Sequence, residues 1–280
     1  MGSPMVQVAF QWLVFSICLG LSVVAKAKIL LVSDIDDTLK ISHVRNSWDS
    51  INNSMAVENH FLGMSELLKA ASLKQDLQVV YVSNAPAALM QWSHEKFLSY
   101  NYFPQGEVFL RDFSGDETHK LRTISRLIEE SQPELVILIG DNGERDPMDY
   151  KSLEEKYPHI RFYTWIHQIY SVLASSEKGE PLQKNQRGFA TSIDLALDMK
   201  SKGLIAENQW LWHLQNFVPK VLKEPLHSSR DELAFPGWMD CRDYFKQHTQ
   251  DELALPQPVQ KLELQMQYEW KMKARCANPL

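Results

Sequence analysis

The chain has 280 residues, 44% of them hydrophobic and 23% charged, enough to bury one large core or two modest ones. A net charge of −6 with no long basic run removes the counterion-release attraction on which nucleic-acid binding depends, so nucleic acid is excluded as an expected partner. The three cysteines show neither a CxxC nor a Cys/His spacing and there is no Gly-rich phosphate loop, which argues against a zinc module and a P-loop nucleotide site.

In chain order, the first feature is an almost continuous apolar run from Val8 to Val24, followed by the small residues Ala25 and Ala27. This predicts a signal peptide over residues 1–27 and a secreted or periplasmic protein. An uncleaved membrane anchor is the alternative, although the run sits at the short edge of what spans a bilayer.

Further apolar runs at Ile29–Ser33, Leu77–Val82, Val108–Leu110, Leu135–Ile139 and Ile160–Trp165 predict five strands. They are apolar without alternation, as strands covered on both faces are, and segments of helical spacing such as Gly63–Ala71 and Lys120–Glu130 lie between them. The expected fold over residues 28–175 is therefore α/β: a three-layer, Rossmann-like domain with a parallel five-stranded sheet. The polar stretch Ser175–Gly188 reads as a linker to a helical C-terminal extension over residues 176–280, where apolar residues recur three and four apart. Gly203 is placed to end one helix there and Pro219 to kink or break another. Acidic and basic residues balance in the extension, so it is no polybasic membrane binder, and a helical cap over the site is the expected role. Cys241 and Cys276 either pair or remain two free thiols.

The chemistry concentrates where strands are expected to end. Asp34, Asp36, Asp37 and Thr38 follow the first strand, Ser83 and Asn84 the second, and Asp141 and Asp146 the fourth, with Lys120 on the helix before it. An aspartate carboxylate can attack phosphorus and divide one hard hydrolysis into two easier steps, which assigns Asp34 as nucleophile. A second carboxyl two residues on can protonate the leaving alkoxide and then deprotonate water, the role expected of Asp36. Carboxylates gathered around a phosphate repel, so a hard divalent cation, Mg²⁺, is expected, held by Asp34, Asp36, Asp141 and Asp146. Lys120 balances the remaining charge, while Ser83 donates to a phosphoryl oxygen and Thr38 and Asn84 complete the substrate contacts. A DxDxT pattern arises by chance in about 3–4% of chains this long, so it carries weight only because Ser83, Lys120 and Gly140-Asp141 through Asp146 follow in order on matching elements.

Those four motifs resemble the haloacid dehalogenase superfamily. The stretches "VSDIDDTLK", "YVSNAP", "FLRDF", "HKLRTI" and "LIGDNGERDPMDY" look like the catalytic domain of the actin-patch-associated phosphatidate phosphatases and their bacterial relatives, over about Lys28 to Ser171. The resemblance implies an Mg²⁺-dependent phosphomonoester hydrolase with Asp34 as nucleophile, Asp36 as acid/base and Asp141 at the metal. It implies a phosphomonoester or phospholipid substrate and leaves peripheral membrane contact open; no protein partner is identifiable. Ala85 stands where the family commonly has a second serine. A soluble phosphomonoester as substrate and an idle, partner-binding domain are the alternatives. His43, Arg45 and Trp48 lie where the superfamily inserts lids, and a packed surface loop is the plainer reading for them, as a helix start is for His119; Arg111 and Asp112 read equally as an ion pair or as phosphate contacts, and Glu144 equally as a turn carboxylate or as an outer neighbour of the metal.

Overall fold

The structure, a computed structural model, describes residues 29–46, 48, 53, 56–112, 115–226, 233–247 and 262–277. The leader expected over residues 1–27 lies outside them. Among the described residues no helix is long and apolar enough to cross a membrane.

The strands β1 (Ile29–Ser33), β2 (Leu77–Pro86), β3 (Glu107–Arg111), β4 (Leu135–Asp141), β5 (Arg161–His167) and β6 (Arg187–Phe189) form one sheet in the order β3-β2-β1-β4-β5-β6. All neighbours are parallel, with Ile29 beside Leu77 on one side and Leu135 on the other. The chain moves outward from β1 through β2 to β3 and then returns to β4 on the other side. That reversal puts the switch point at the carboxyl ends of β1 and β4, the place where open α/β sheets bind ligands.

The strand residues divide between two cores with the period-two alternation of a pleated backbone. Leu31, Val79, Tyr81, Ile137, Ile139 and Trp165 face one side; Leu30, Val32, Val80, Val82, Val136, Leu138 and Ile166 face the other. On the second side lie α3 (His119–Ser131), through Ile124, Leu127 and Ile128, and α4 (Asp146–Lys156), through Tyr150 and Leu153. The first side is covered by α1 (Met64–Ser72) and α2 (Ala87–Tyr100), and by three helices from late in the chain, α5 (Ser192–Ser201), α6 (Glu207–Lys223) and α8 (Glu263–Cys276). A short α7 (Tyr244–Gln247) precedes α8.

The three-layer parallel fold is the expected one, with six strands in place of five. The sixth falls at the end of the stretch expected as a linker, where Arg187, Gly188 and Phe189 pair with Trp165, Ile166 and His167 of β5. Three residues carry no periodicity, and Gly188 breaks the apolar run. A Cβ at Gly188 would stand 1.8 Å from Oε1 of Gln168, so a larger residue there would have to displace that buried side chain.

The late helices are not a cap over the site. Trp210, His213, Leu214, Phe217, Val218 and Val221 form the buried stripe of α6, three and four apart, and the apolar members belong to the same core as Leu31 and Ile35. The helix also continues through Pro219, so of the expected kink or break the break does not occur. Pro219 and Gln215, whose carbonyl loses its partner, are both on the exposed side, where water can satisfy it. Gly203 ends α5 as expected, at φ 67°, with its N–H on the Lys200 carbonyl. Cys241 and Cys276 are joined in a disulfide that ties the segment before α7 to the end of α8.

Candidate active site

At the end of β1 the ladder continues one residue further, the Asp34 N–H donating to the Ile139 carbonyl at 2.8 Å. Ile35 then turns into the core, and its carbonyl accepts from the N–H groups of Leu39 and Lys40. This single turn brings Thr38 Oγ1 to Asp34 Oδ2, 3.3 Å away. Asp37 stands at its apex with φ 57°, a left-handed conformation that Asp tolerates. Its carboxylate accepts from the backbone N–H groups of Ser42, His43 and Val44 at 2.7–2.9 Å and from the Tyr170 hydroxyl at 2.6 Å. Burial pushes the Asp37 carboxyl up to about 6, against the pull of those donors. The third acid of the motif thus shapes the loop and leaves the chemistry to the others.

Asp34, Asp141 and Asp146 are all buried and each offers an oxygen within 4.8 Å of the others. Lys120, the second residue of α3 and fully buried, places Nζ 2.8 Å from Asp34 Oδ1 and 2.5 Å from Asp146 Oδ1. Glu144 Oε2 is 3.8 Å from the same ammonium. Gly140 makes this packing feasible, since a Cβ there would stand 2.2 Å from Asp146 Oδ2. Three carboxylates against one buried ammonium leave a net negative charge. Burial raises the Asp34 carboxyl well above its ordinary range, with Lys120 opposing and Asp146 adding to it, and burial, Asp146 and Asp34 do the same to Asp141. Burial disfavours the charge of Lys120, yet Asp146, Asp34 and Glu144 hold its proton on. Asp141 Oδ2 is buried without a hydrogen-bond partner. A set of hard oxygen donors with surplus negative charge and one orphaned lone pair fits a divalent cation.

Asp36, expected as a fourth metal ligand, has its carboxylate outside that cluster. Its Oδ1 accepts from Ser42 Oγ at 2.7 Å, and its Oδ2 is reached by Ser83 Oγ at 3.1 Å and by His94 Nε2 at 2.8 Å. Burial works against its charge, but His94, Ser42 and Lys40 together hold the carboxyl well below the usual range. Ser83 lies within β2, just before the register with β3 shifts, and its Oγ also accepts the Ala85 N–H. Asn84 donates to Glu144 Oε2 at 3.0 Å and keeps a buried Oδ1 without a partner.

All eight expected site residues thus meet at the carboxyl ends of β1, β2 and β4. Of the residues expected in the loop after the first motif, His43 stacks on Trp238, ring centroids 4.4 Å apart, and pairs with Glu177, while Trp48 is 80% exposed. His119 opens α3 and faces the Phe109 carbonyl. Sequence reasoning missed His94. The signal was a histidine in the buried stripe of α2, beside Phe97 and Leu98, eleven residues after the second motif.

The family described as the catalytic domain of phosphatidate phosphatase APP1 matches residues 29–170, just over half of the chain. The chain belongs to this family. The matched residues therefore form a phosphatase-type catalytic domain on the parallel three-layer α/β fold described above. Among solved structures it is similar to a putative haloacid dehalogenase-like hydrolase from Burkholderia xenovorans LB400, at 12% identity over 64% of this chain and 100% of that one, TM-score 0.43. It is also similar to the class C acid phosphatase from Bacillus anthracis with tungstate bound, at 17% identity over 54% and 69% of the two chains, TM-score 0.35. A third similarity is to a chain of the Pnkp1/Rnl/Hen1 complex, at 17% identity and TM-score 0.36; it covers 50% of this chain, which spans about half (47%) of that one. No curated protein sequence matches the chain.

Proposed function

We propose that the chain is an Mg²⁺-dependent phosphatidate phosphatase that works through an aspartyl-phosphate on Asp34. The observation that carries this reading is the Asp34–Lys120 contact of 2.8 Å inside the three-carboxylate cluster, with Asp36 held separately two residues on. Asp34 attacks phosphorus, the bond from phosphorus to the leaving alkoxide breaks, and Asp36 delivers the proton that alkoxide needs. A water molecule then attacks the aspartyl-phosphate, gives a proton back to Asp36, and inorganic phosphate leaves. Lys120 opposes protonation of Asp34 and offsets charge on the transferring group. Asp34, Asp141 and Asp146 would hold the Mg²⁺, which supplies the positive charge that lets a phosphate approach three carboxylates.

Two further features support a lipid substrate handled outside the cytosol. Leu89 and Trp92, on the first turns of α2 at the catalytic end of the sheet, are 74% and 61% exposed, as interfacial anchors are. The Cys241–Cys276 disulfide is at home in an oxidising compartment, in keeping with a secreted or periplasmic protein. The test is phosphate release from phosphatidate vesicles and from a water-soluble alkyl phosphate, with and without EDTA, using Asp34→Asn as the blank. Metal-dependent release from vesicles is expected. Release from the soluble ester alone would move the substrate to soluble phosphomonoesters, and release undiminished by EDTA would remove the metal.

A further inference from the structure

The geometry points to His94 as the positioning residue of the acid/base: it fixes the carboxylate of Asp36 in the orientation from which leaving-group protonation occurs. This rests on the reading of Asp36 as general acid/base.

His94 is fully buried on α2, where its neighbours in the stripe are Ser93, Phe97 and Leu98. A leucine there would serve the core without burying a polar ring. A purely structural histidine normally satisfies both ring nitrogens, yet Nδ1 of His94 is buried without a hydrogen-bond partner. Among the described residues its one polar contact is Nε2 to Asp36 Oδ2 at 2.8 Å. An ionised carboxylate only accepts, so Nε2 carries the proton and donates. Ser83 Oγ already accepts from the Ala85 N–H and therefore donates to the same Oδ2, while Ser42 Oγ takes Oδ1. Three donors on two oxygens define both the torsion and the tilt of the carboxylate. Of the three, Ser42 sits on the loop after β1, whereas Ser83 sits within β2 and His94 in the middle of a 14-residue helix packed on the sheet. Elements of this kind hold a catalytic group more tightly than loops do.

The test uses the full-length protein with an alkyl phosphate and an aryl phosphate, whose leaving group needs no proton. His94→Leu is expected to lower kcat on the alkyl ester tenfold or more with KM within twofold, and to lower kcat on the aryl ester less than threefold. His94→Gln, which keeps a donor near the place of Nε2, should recover at least a third of the alkyl activity, and His94→Leu should cost nothing further in an Asp36→Asn background. If His94→Leu proves unfolded, His94→Gln measured against His94→Met decides by the same ratio. Equal losses on both esters, or full alkyl activity in a folded variant lacking the donor, would overturn the assignment while a leaving-group-selective Asp36→Asn kept the acid/base reading intact. Equal losses for Asp36→Asn itself would overturn both.

Discussion

Residue by residue, the site is a problem in buried charge. Asp34, Asp141 and Asp146 share one ammonium, and burial together with their mutual repulsion drives the first two toward protonation in the protein alone. A cation relieves that repulsion, so Mg²⁺ should stabilise the fold as well as enable the reaction. At a hundredfold excess over its Kd a bound ligand contributes about 2.7 kcal/mol, which is about 5–10 °C in Tm for a domain of this size. Thermal melts in Mg²⁺ and in EDTA should show that shift for the native chain and lose it in Asp141→Asn, whose melting in EDTA is no lower because one buried charge is gone. An equal shift in the variant would remove Asp141 from the metal. Asp36 poses the opposite case: His94, Ser42 and Lys40 keep it ionised, the form that serves as base for the incoming water. The proton it first delivers must then arrive with the substrate, as the monoanion of a phosphomonoester whose second pKa is about 6. Accordingly kcat/KM on an alkyl phosphate should fall as pH rises above about 6, and should not fall with acid until well below that; a profile rising steadily to pH 8 would sink this proton inventory. The types and order of these residues were legible in the sequence, because a carboxylate nucleophile, a nearby acid/base and a lysine are chemical requirements. The work of Asp37 and His94 was not, since an acid that ties three backbone N–H groups and a histidine inside an apolar stripe look like any other Asp or His until the loop and helix are packed.

At the scale of elements, five strands were readable from apolar runs, and the sixth was not, because Arg187–Phe189 is three residues long and takes its structure from β5. The helices of the last third were equally readable as amphipathic stripes, but a stripe does not say what covers it. In α6 the stripe of Trp210, Leu214, Phe217 and Val221 closes the same core that β1 and α1 open. Phe217→Ala should therefore destabilise the whole protein by about 3–5 kcal/mol, seen as a single unfolding transition in urea that carries loss of activity with it. Deleting residues 176–280 should give no soluble phosphatase, since the sheet would lose β6 and much of one covering layer. A truncated chain that folds and hydrolyses a small aryl phosphate would show the late helices to be dispensable.

On the scale of the whole molecule, the disulfide closes the last third on itself. Cys241 and Cys276 are 35 residues apart, and a loop of that length gives about 3–4 kcal/mol of stabilisation in the chain-entropy account. Cys241→Ser with Cys276→Ser, or reduction of the native chain, should lower Tm by about 5–15 °C, read by circular dichroism; an unchanged Tm would mean that α8 holds its place by packing alone. The two sides of the sheet also differ in when their partners exist. The α3 and α4 side draws on residues 119–156, all synthesised before β5 is complete, whereas much of the other side waits for residues 192–223. At ribosomal rates that interval lasts on the order of 3–10 s. During it the nascent chain presents half-covered strands, and a stalled ribosome or premature stop codon there yields a client for chaperones and proteases instead of a smaller enzyme.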